Sequence, residues 1–272
     1  MLGCVPRMRG RDAAAHRVDS KSGLDFLRLG AGPLWMMRTD VTVRAYALCS
    51  AAGKCNALAQ ERDEPKDRCN WKHARLDHPM NCVTQPEASA FCDWIDARLP
   101  TRDEWTYAAL SGDTARIHSA DSVHAYPWGR EPVTARRANY CDQRCAGALG
   151  TDSTDGKNLR RWEAAHLIDH GADDGYASTS PAGNYRDGAT AWGLLDMAGN
   201  VWQWTSTAGP AQTVQARSRD SNSLTPMTLE TFEVRGGSWD NAPASLVAGR
   251  RLPWPGRAPD AGMGFRCVSG ER

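Results

Sequence analysis

GLLDMAGNVWQW, at residues 193–204, is the stretch of sequence that decides the fold. Its apolar residues follow neither a period of two nor one of 3.6, and Gly193 and Gly199 allow backbone conformations that other residues avoid. These features predict a folded loop rather than a helix. The oxygens of Asp196, Asn200 and Gln203 could converge there on a hard cation such as calcium. The alternative is a buried turn held by tryptophan packing.

Four further motifs stand in order around this stretch: RLPTRDEW at 98–105, PWG at 127–129, RGGSW at 235–239 and GFRC at 264–267. Together the five motifs resemble the formylglycine-generating enzyme, or sulfatase-modifying factor, family, from about Phe26 to Val268. The resemblance implies an α+β, C-type-lectin-like fold with short helices, small antiparallel sheets and little regular secondary structure. It also implies one sulfatase-modifying factor-like domain over residues 24–272.

The composition excludes some classes of partner. The chain has 272 residues with 33 Lys and Arg against 32 Asp and Glu, so no charge excess favours nucleic acid or an anionic membrane. Eleven tryptophans, 25 glycines and 15 prolines indicate a loop-rich architecture in which indoles hold irregular segments together. No stretch approaches the roughly 20 apolar residues that span a bilayer.

The first 23 residues are polar and basic and have no periodicity, which predicts a flexible leader over residues 1–23. No apolar signal core is visible in them. The tetrapeptide Met1-Leu2-Gly3-Cys4 is similar to the end of a bacterial lipoprotein signal, which would make Cys4 a lipidated membrane anchor. The alternative is a disordered tail with a free thiol, and both interpretations remain open. A lipid on Cys4 is the only membrane contact that the sequence predicts.

Local patterns predict a few short elements. Apolar spacing predicts helices over Val41–Ala52, Gln85–Ala97 and Glu163–His170, and from Thr101 onward. Thr101 and Glu104 have the spacing of a capping box, which gives the RLPTRDEW motif a structural role. β-Branched and aromatic residues predict strands over Thr231–Val234 and Gly264–Val268.

Nine cysteines are typical of an oxidising, extracytoplasmic location. Their spacing suggests the pairs Cys49 with Cys55, Cys69 with Cys82 and Cys141 with Cys145, although spacing alone does not fix the pairing. The family resemblance implies a fourth pair, Cys92 with Cys267. A zinc site at Cys141 and Cys145 with His166 and His170 is the alternative, but no second cysteine pair lies at a matching distance.

The family resemblance implies two calcium sites. The first maps onto the side chains of Asn139 and Asp174 and the carbonyls of Tyr140 and Tyr176. The second maps onto the side chains of Asp196 and Gln203 and the carbonyls of Gly199 and Val201. Many relatives have Glu where Gln203 stands, and loss of that charge weakens a calcium site. The alternative at both places is that these groups cap turns.

Copper chemistry is not predicted. Formylglycine-generating enzymes oxidise a cysteine of a client sulfatase with molecular oxygen and copper, using two cysteines after the Gly-Gly-Ser-aromatic motif. The resemblance places Asn241 and Leu246 at those positions. Thiolates bind cuprous copper, and neither an amide nor an aliphatic side chain replaces them. The sequence therefore predicts no formylglycine synthesis and leaves the catalytic residues unknown.

The segment from Trp239 to Met263 lines the exposed binding face in proteins of this fold. It predicts recognition of a protein, peptide or glycan, with Trp239, Asp240, Asn241 and Trp254 as candidate contacts. One alternative is an oxygen-dependent oxidoreductase acting on a protein or peptide. Another is a retroelement-diversified binding protein, because Gly-Gly-Ser-Trp and Gly-Phe-Arg bracket the diversified segment of such proteins. A third interpretation buries Trp239 and Trp254 and places Arg250 in an internal salt bridge, which is the expectation for Arg250.

Overall fold

The computed structural model describes residues 15–56, 68–118, 125–150, 168–217 and 224–270. Within these ranges the helices are short: α1 (Val43–Ala51), α2 (Gln85–Trp94), α3 (Arg102–Ala109) and α4 (Gln143–Gly150). No described helix is long and apolar enough to cross a membrane. The strands of the described ranges fall in three small sheets, which makes the fold α+β as predicted.

The first sheet has the order β1 (His16–Val18), β2 (Asp25–Arg28), β3 (Trp35–Met37), β10 (Val268–Ser269). The second has the order β8 (Arg251–Pro255), β7 (Thr231–Arg235), β4 (Trp202–Ala208), β9 (Met263–Gly264). The third is the hairpin of β5 (Gln212–Arg217) and β6 (Leu224–Leu229). Neighbouring strands run antiparallel, except that β4 and β9 are parallel.

Threonines start the predicted helices. The Thr42 hydroxyl accepts a hydrogen bond from the Ala45 N–H at the start of α1. At α3, the Glu104 N–H donates to the Thr101 hydroxyl, and the Thr101 N–H donates to the Glu104 carboxylate. The capping box predicted for RLPTRDEW is therefore confirmed, because both of these backbone donors find side-chain acceptors.

Helix α4 was not predicted, although its sequence carries a capping signal. The Asp142 carboxylate accepts hydrogen bonds from the N–H groups of Arg144 and Cys145, as an N-cap residue does. The helix predicted over Glu163–His170 falls largely outside the described residues. Its described part, residues 168–170, is not helical.

Two predictions need correction, one about the leader and one about a strand. The leader predicted over residues 1–23 is wrong for His16–Val18, which form β1 and pair with β2; residues 1–14, including Cys4, lie outside the described residues. The strand predicted over Gly264–Val268 is interrupted, because β9 ends at Gly264 and β10 begins at Val268. The strand predicted over Thr231–Val234 is confirmed within β7.

The loop predicted over residues 193–204 is confirmed as far as Val201, whereas Trp202–Ala208 form β4. Gly199 has a φ of +77°, and a Cβ at this position would lie 2.2 Å from the carbonyl oxygen of Asn139. A side chain therefore has no room there. Asn200 donates its N–H to that same carbonyl, so the loop is packed directly against residue 139.

Four disulfides join the described cysteines: Cys49–Cys55, Cys69–Cys82, Cys92–Cys267 and Cys141–Cys145. The zinc alternative is therefore wrong, because Cys141 and Cys145 bond to each other. Cys92–Cys267 fastens α2 to the chain segment between β9 and β10, beside the buried rings of Tyr46, Phe91 and Phe265. It spans 175 residues, and a loop of that length corresponds to roughly 5 kcal/mol in the chain-entropy model.

Candidate functional site

The residues of the first predicted calcium site lie together. The Asp174 carboxylate accepts hydrogen bonds from the N–H groups of Tyr140 (3.0 Å) and Tyr176 (2.9 Å). Asn139 is buried, and its amide nitrogen donates to the Ser178 carbonyl at 2.8 Å. Its Oδ1 atom is also buried but accepts no hydrogen bond from any described residue. The cluster therefore holds one amide oxygen with free lone pairs.

Charge is poorly compensated in this cluster. Burial raises the pKa of Asp174 to about 7, although hydrogen bonds from the Tyr176 and Tyr140 N–H groups act in the opposite direction. The neighbouring carboxylates of Asp142 and Asp173 raise it further. A cation beside Asp174 would favour its ionised form. A buried carboxylate and a free amide oxygen are hard oxygen donors of the kind that calcium prefers.

Two acidic residues of this region were not predicted. Asp142 is fully buried, and its Oδ2 atom accepts the Asp174 N–H at 2.6 Å. Asp169 accepts a hydrogen bond from the Tyr140 hydroxyl at 3.0 Å. Asp142 could have been recognised from its position before α4, but no sequence signal indicates that Asp169 meets Tyr140. Asp142 and Asp169 help to fix the positions of Asp174 and Tyr140.

The second predicted calcium set is arranged differently. Gln203 is fully buried, and its Oε1 atom accepts hydrogen bonds from Trp105 Nε1 (2.7 Å) and Arg266 Nε (2.9 Å). Its Nε2 atom donates to the Asp196 carbonyl at 2.6 Å. An amide oxygen has two lone pairs, and both are used here. Gly199 and Val201 lie buried in the same loop.

Arg266, the arginine of the GFRC motif, brings a positive charge into this second set. Its guanidinium is fully buried and donates to the carbonyls of Leu195 (2.7 Å) and Asp196 (3.1 Å), and to the Asp40 carboxylate (3.3 Å). The geometry therefore does not fit calcium, since Gln203 has no free lone pair and a guanidinium lies where a cation would be repelled. From the sequence, this arginine is recognised only as part of the GFRC motif, and its contacts with Gln203 and Asp40 are not predicted.

The two positions expected to match the family cysteines carry no thiol. Leu246 is fully buried beside Tyr126, Ala138 and Tyr140. Asn241 is half-buried; its Oδ1 atom accepts the Ser238 N–H at 3.1 Å, and its backbone carbonyl accepts the Cys141 N–H at 2.9 Å. Asn241 thus lies against the Cys141–Cys145 disulfide and stabilises the turn that follows the Gly-Gly-Ser-Trp motif.

Trp239 is not an exposed ligand contact, and that prediction is wrong. Its ring is 2% exposed and packs among the Cys69–Cys82 and Cys141–Cys145 disulfides, and its Nε1 atom donates to the Ala261 carbonyl. The Arg68 guanidinium lies 5.3 Å from the ring centroid. Two disulfides and a cation–π contact therefore hold this indole in the interior.

The other candidate contacts are half-buried. Trp254 lies in β8, and its Nε1 atom donates to the Ala258 carbonyl at 2.9 Å. Asp240 is partly exposed as a residue, but its carboxylate lies away from water, which raises its pKa to about 6. The Ser238 hydroxyl donates to this carboxylate. Trp254 therefore offers less exposed aromatic surface than the sequence predicts, and Asp240 does not offer a freely exposed carboxylate.

The side chains that do face solvent in residues 239–263 are mostly basic. Arg250, Arg251 and Arg257 are exposed, together with Ala244. No ion pair joins any of these three arginines to another described residue, so the internal salt bridge expected for Arg250 is wrong within the described residues. Arg250 and Arg251 lie at the start of β8 and Arg257 lies just beyond its end, and we name these three arginines together the basic face.

Comparison with known proteins gives a consistent result. A family model, the sulfatase-modifying factor enzyme 1-like domain, matches residues 27–270. The formylglycine-generating enzyme of Mycobacterium tuberculosis is 31% identical over 252 residues, which cover 85% of this chain and 73% of that enzyme. The inactive C-alpha-formylglycine-generating enzyme 2 of Bos taurus is 28% identical over 220 residues, which cover 76% of this chain and 58% of that protein.

The fold has a counterpart among solved structures. PvdO from Pseudomonas aeruginosa superposes with a TM-score of 0.60, at 17% identity, over 96% of this chain and 100% of that chain. At this identity the likeness concerns the fold alone. The family model covers nearly the whole described region, and the five motifs that suggested the family all lie within the matched residues. The chain belongs to the family of formylglycine-generating enzymes and sulfatase-modifying factors.

Proposed function

We propose that this protein is a calcium-binding, extracytoplasmic recognition protein that does not synthesise formylglycine. The observation that carries the proposal is the pair of side chains at the family cysteine positions, the buried Leu246 and the hydrogen-bonded Asn241. Cuprous copper needs soft ligands such as thiolates. The cysteines nearest to this place, Cys141 and Cys145, are bonded to each other and are buried. One relative, the bovine protein, carries the word inactive in its name, which agrees with this proposal.

The recognition role is supported by the basic face. Three exposed arginines without carboxylate partners among the described residues place positive charge at both ends of β8, in a chain whose net charge is only +1. Such a surface attracts an acidic ligand and repels a basic one. The expected ligand is therefore an acidic protein, peptide or glycan. The predicted aromatic contacts contribute little, since Trp239 is buried and Trp254 is half-buried.

Calcium binding is supported by the first predicted set only. Asn139 and Asp174 would hold the ion with their side chains, and Tyr140 and Tyr176 with their carbonyls. The ion would supply the positive charge that the buried Asp174 carboxylate lacks. Asn139 also accepts the Asn200 N–H through its backbone carbonyl, so calcium would stabilise the loop at residues 193–201. Its role in this proposal is structural.

The proposed location rests on the disulfides. Four disulfides in a chain of this size are typical of oxidising compartments, because cytosolic thiols are kept reduced. Cys92–Cys267 and Cys69–Cys82 are almost inaccessible to solvent. We therefore expect the protein to fold outside the cytosol.

The lack of formylglycine synthesis is tested by oxygen consumption with copper and a sulfatase peptide that carries Cys-Thr-Pro-Ser-Arg. We expect no peptide-dependent oxygen uptake and no bound copper. The matched control is the double variant Asn241→Cys and Leu246→Cys, which restores the two family thiols and should gain cuprous copper. Peptide oxidation by the unaltered protein would contradict the proposal and favour the alternative of a divergent oxidoreductase.

The recognition role is tested by titrating the protein with poly-glutamate and with poly-lysine. Poly-glutamate should bind and poly-lysine should not. The double charge reversal Arg250→Glu and Arg257→Glu should weaken poly-glutamate binding about tenfold or more, since it exchanges two attractive contacts for two repulsive ones. Unchanged binding in that variant would exclude the basic face as the recognition surface.

A further inference from the structure

One cavity of the molecule is lined by none of the predicted calcium ligands and by neither Asn241 nor Leu246. It has a volume of about 510 Å³ and lies between the start of α3, the short 3₁₀ helix Thr114–His118 and the adjoining ends of β7 and β8. Three arginines and one histidine line it: Arg102, Arg235, Arg251 and His118. Its acidic lining residue is Asp103. The lining is therefore strongly basic.

The charge of Arg102 is already compensated. Its Nε atom donates to the Asp103 carboxylate at 3.0 Å, and its Nη1 atom lies 3.5 Å from the Glu233 carboxylate. A ligand would therefore find the positive charge of this cavity chiefly on the other two arginines.

Arg235 has no carboxylate partner among the described residues. It is 3% exposed, and its Nη2 atom donates to the Thr106 hydroxyl (2.8 Å) and the Ala248 carbonyl (2.7 Å). Its Nε atom is buried and donates to no described residue. Burial lowers the pKa of Arg235 to about 10, although Glu233 favours the charged form from a distance. A buried cation without a bonded anion is unfavourable, and a bound anion would relieve this cost.

Arg251 adds a second uncompensated charge beside the first. Arg235 and Arg251 are directly opposite each other in the β7–β8 ladder, so their side chains project from the same face of the sheet. Like charges directly opposite across two strands destabilise a sheet. Arg251 is exposed and forms no ion pair with a described residue. An anion between the two guanidinium groups would turn this repulsion into two attractive contacts.

We propose that this cavity binds a phosphate-type dianion, held between Arg235 and Arg251, with His118 as a further donor. Two guanidinium groups without a bonded carboxylate among the described residues match two negative charges, whereas a single carboxylate supplies one. Beside its charge, Arg235 also has the face of the Trp105 ring, whose centroid lies 5.3 Å from the guanidinium. Guanidinium groups also bind phosphate oxygens through paired hydrogen bonds, which lysines do not provide. The inference deepens the proposed recognition function and rests on it, because Arg251 belongs both to the basic face and to the cavity.

Isothermal titration of the full chain with inorganic phosphate and with O-phosphoserine tests the inference. We expect one site per chain and affinity that falls with added salt. Tighter binding of O-phosphoserine would assign the site to an esterified phosphoryl group, and tighter binding of phosphate to the free anion. Either result supports the proposal. Citrate binding more tightly than both would contradict it, because the site would then select carboxylates.

The variant Arg251→Ala should weaken phosphate binding about tenfold or more, as expected for loss of a charge-assisted hydrogen bond. Arg251→Lys keeps the charge but not the paired geometry, and should give an intermediate affinity. Arg28→Ala is the matched control, since Arg28 is exposed on β2 and does not line the cavity. Arg251 is also exposed, so its loss should leave the fold intact.

Equal weakening in the Arg251→Ala and Arg28→Ala variants would overturn the proposal, since it would reflect net charge alone. Absence of phosphate and phosphoserine binding at millimolar concentrations would also overturn it. These failures can be told apart from failure of the proposed function. Poly-glutamate binding that depends on Arg250 and Arg257 would stand even if the cavity bound no phosphate.

Discussion

The two predicted calcium sets contain similar residues, yet the structure satisfies them in opposite ways. Around Asp174, the buried carboxylate is surrounded by backbone N–H groups and other acids, and the Asn139 oxygen is left free. Around Asp196, the guanidinium of Arg266 supplies the positive charge, and the Gln203 oxygen is filled by two donors. An internal arginine can therefore take the electrostatic role that a metal ion would otherwise have. A motif match does not distinguish the two cases.

In the second set, Arg266 places a buried cation next to two buried acids, Asp40 and Asp196. Burial raises the pKa of Asp40 and of Asp196, and Arg266 opposes the shift in both. One oxygen of each carboxylate, Asp40 Oδ2 and Asp196 Oδ1, has no hydrogen-bond partner among the described residues. The Gly183 N–H donates to Asp196 Oδ2 at 2.5 Å and also opposes the shift of Asp196, so Arg266 is the compensating group that the two buried acids share.

The largest expected effect is loss of that arginine. Arg266→Met keeps most of the side-chain volume but leaves Asp40 without its partner, and should lower the free energy of unfolding by about 3–5 kcal/mol. Urea denaturation measures this. Arg250→Met, at an exposed position whose side chain forms no ion pair with a described residue, is the control and should change stability by about 0.5 kcal/mol or less. A loss below about 1 kcal/mol for Arg266→Met would show that the second set does not depend on the guanidinium.

The stabilisation that calcium gives should also distinguish the two sets, and it is the next largest expected effect. At a free calcium concentration of about 100 times the dissociation constant, the ion should add about 2.7 kcal/mol to the stability of the protein. Asp174→Asn should abolish this gain, whereas Gln203→Ala should retain it even though its own stability is lower. Thermal unfolding with calcium and with a chelator measures the gain in each variant. Loss of the gain only in Gln203→Ala would reverse the comparison.

A smaller effect distinguishes the structural role of a side chain from calcium binding within the first set. Tyr140→Phe removes the hydrogen bond from the hydroxyl to Asp169 and should cost about 1.5 kcal/mol. The calcium gain should persist, because only the backbone carbonyl of residue 140 is expected to bind the ion. Urea denaturation with and without calcium measures both quantities. A calcium gain that disappears in this variant would assign the hydroxyl, or Asp169, to the site.

The last expected effect is a dependence of the free energy of unfolding on pH. The pKa of Asp174 is about 7 in the folded protein, against about 3.9 in an unfolded chain. Between these values the folded state keeps a proton that the unfolded state has released. The free energy of unfolding of calcium-free protein should therefore fall as pH rises from about 4 to about 7, by at most about 1.4 kcal/mol per unit from this group.

Asp174→Asn isolates that contribution from those of other buried acids. Its urea denaturation curves, recorded without calcium over the same pH range, should show a shallower slope than the unaltered protein. With calcium bound, Asp174 is ionised and the unaltered protein should lose its share of the slope. Identical slopes in the two calcium-free proteins would mean that Asp174 is already ionised in this range.

Local signals made part of this structure predictable. The capping box of Thr101 and Glu104 involves residues three apart, and Gly199 is needed where a side chain would collide with a backbone carbonyl. The capping box depends on short-range geometry that a sequence pattern records, and the positive φ of Gly199 is likewise local. The same is true of the irregular loop that precedes β4. The carbonyl that leaves no room for a side chain at Gly199 belongs to Asn139, which is distant in sequence.

Long-range contacts were not predictable in this way. Arg266 reaches Gln203 across 63 residues and Asp40 across 226 residues, and nothing near any of them in sequence indicates the contact. Trp239 was expected at the surface, yet two disulfides and Arg68 enclose it. Whether a polar group is free or already bonded depends on such tertiary partners, so the second calcium set could be tested only in three dimensions.

The Cys92–Cys267 disulfide also has a consequence for how the protein would survive cleavage. Most of the chain, including the β5–β6 hairpin, lies between the two cysteines, so a protease that cuts once in this span leaves both fragments covalently joined. Such a nicked molecule would migrate as one species on a gel until a reductant is added. In a compartment rich in proteases, a cut in a surface loop would therefore open the chain without separating its pieces.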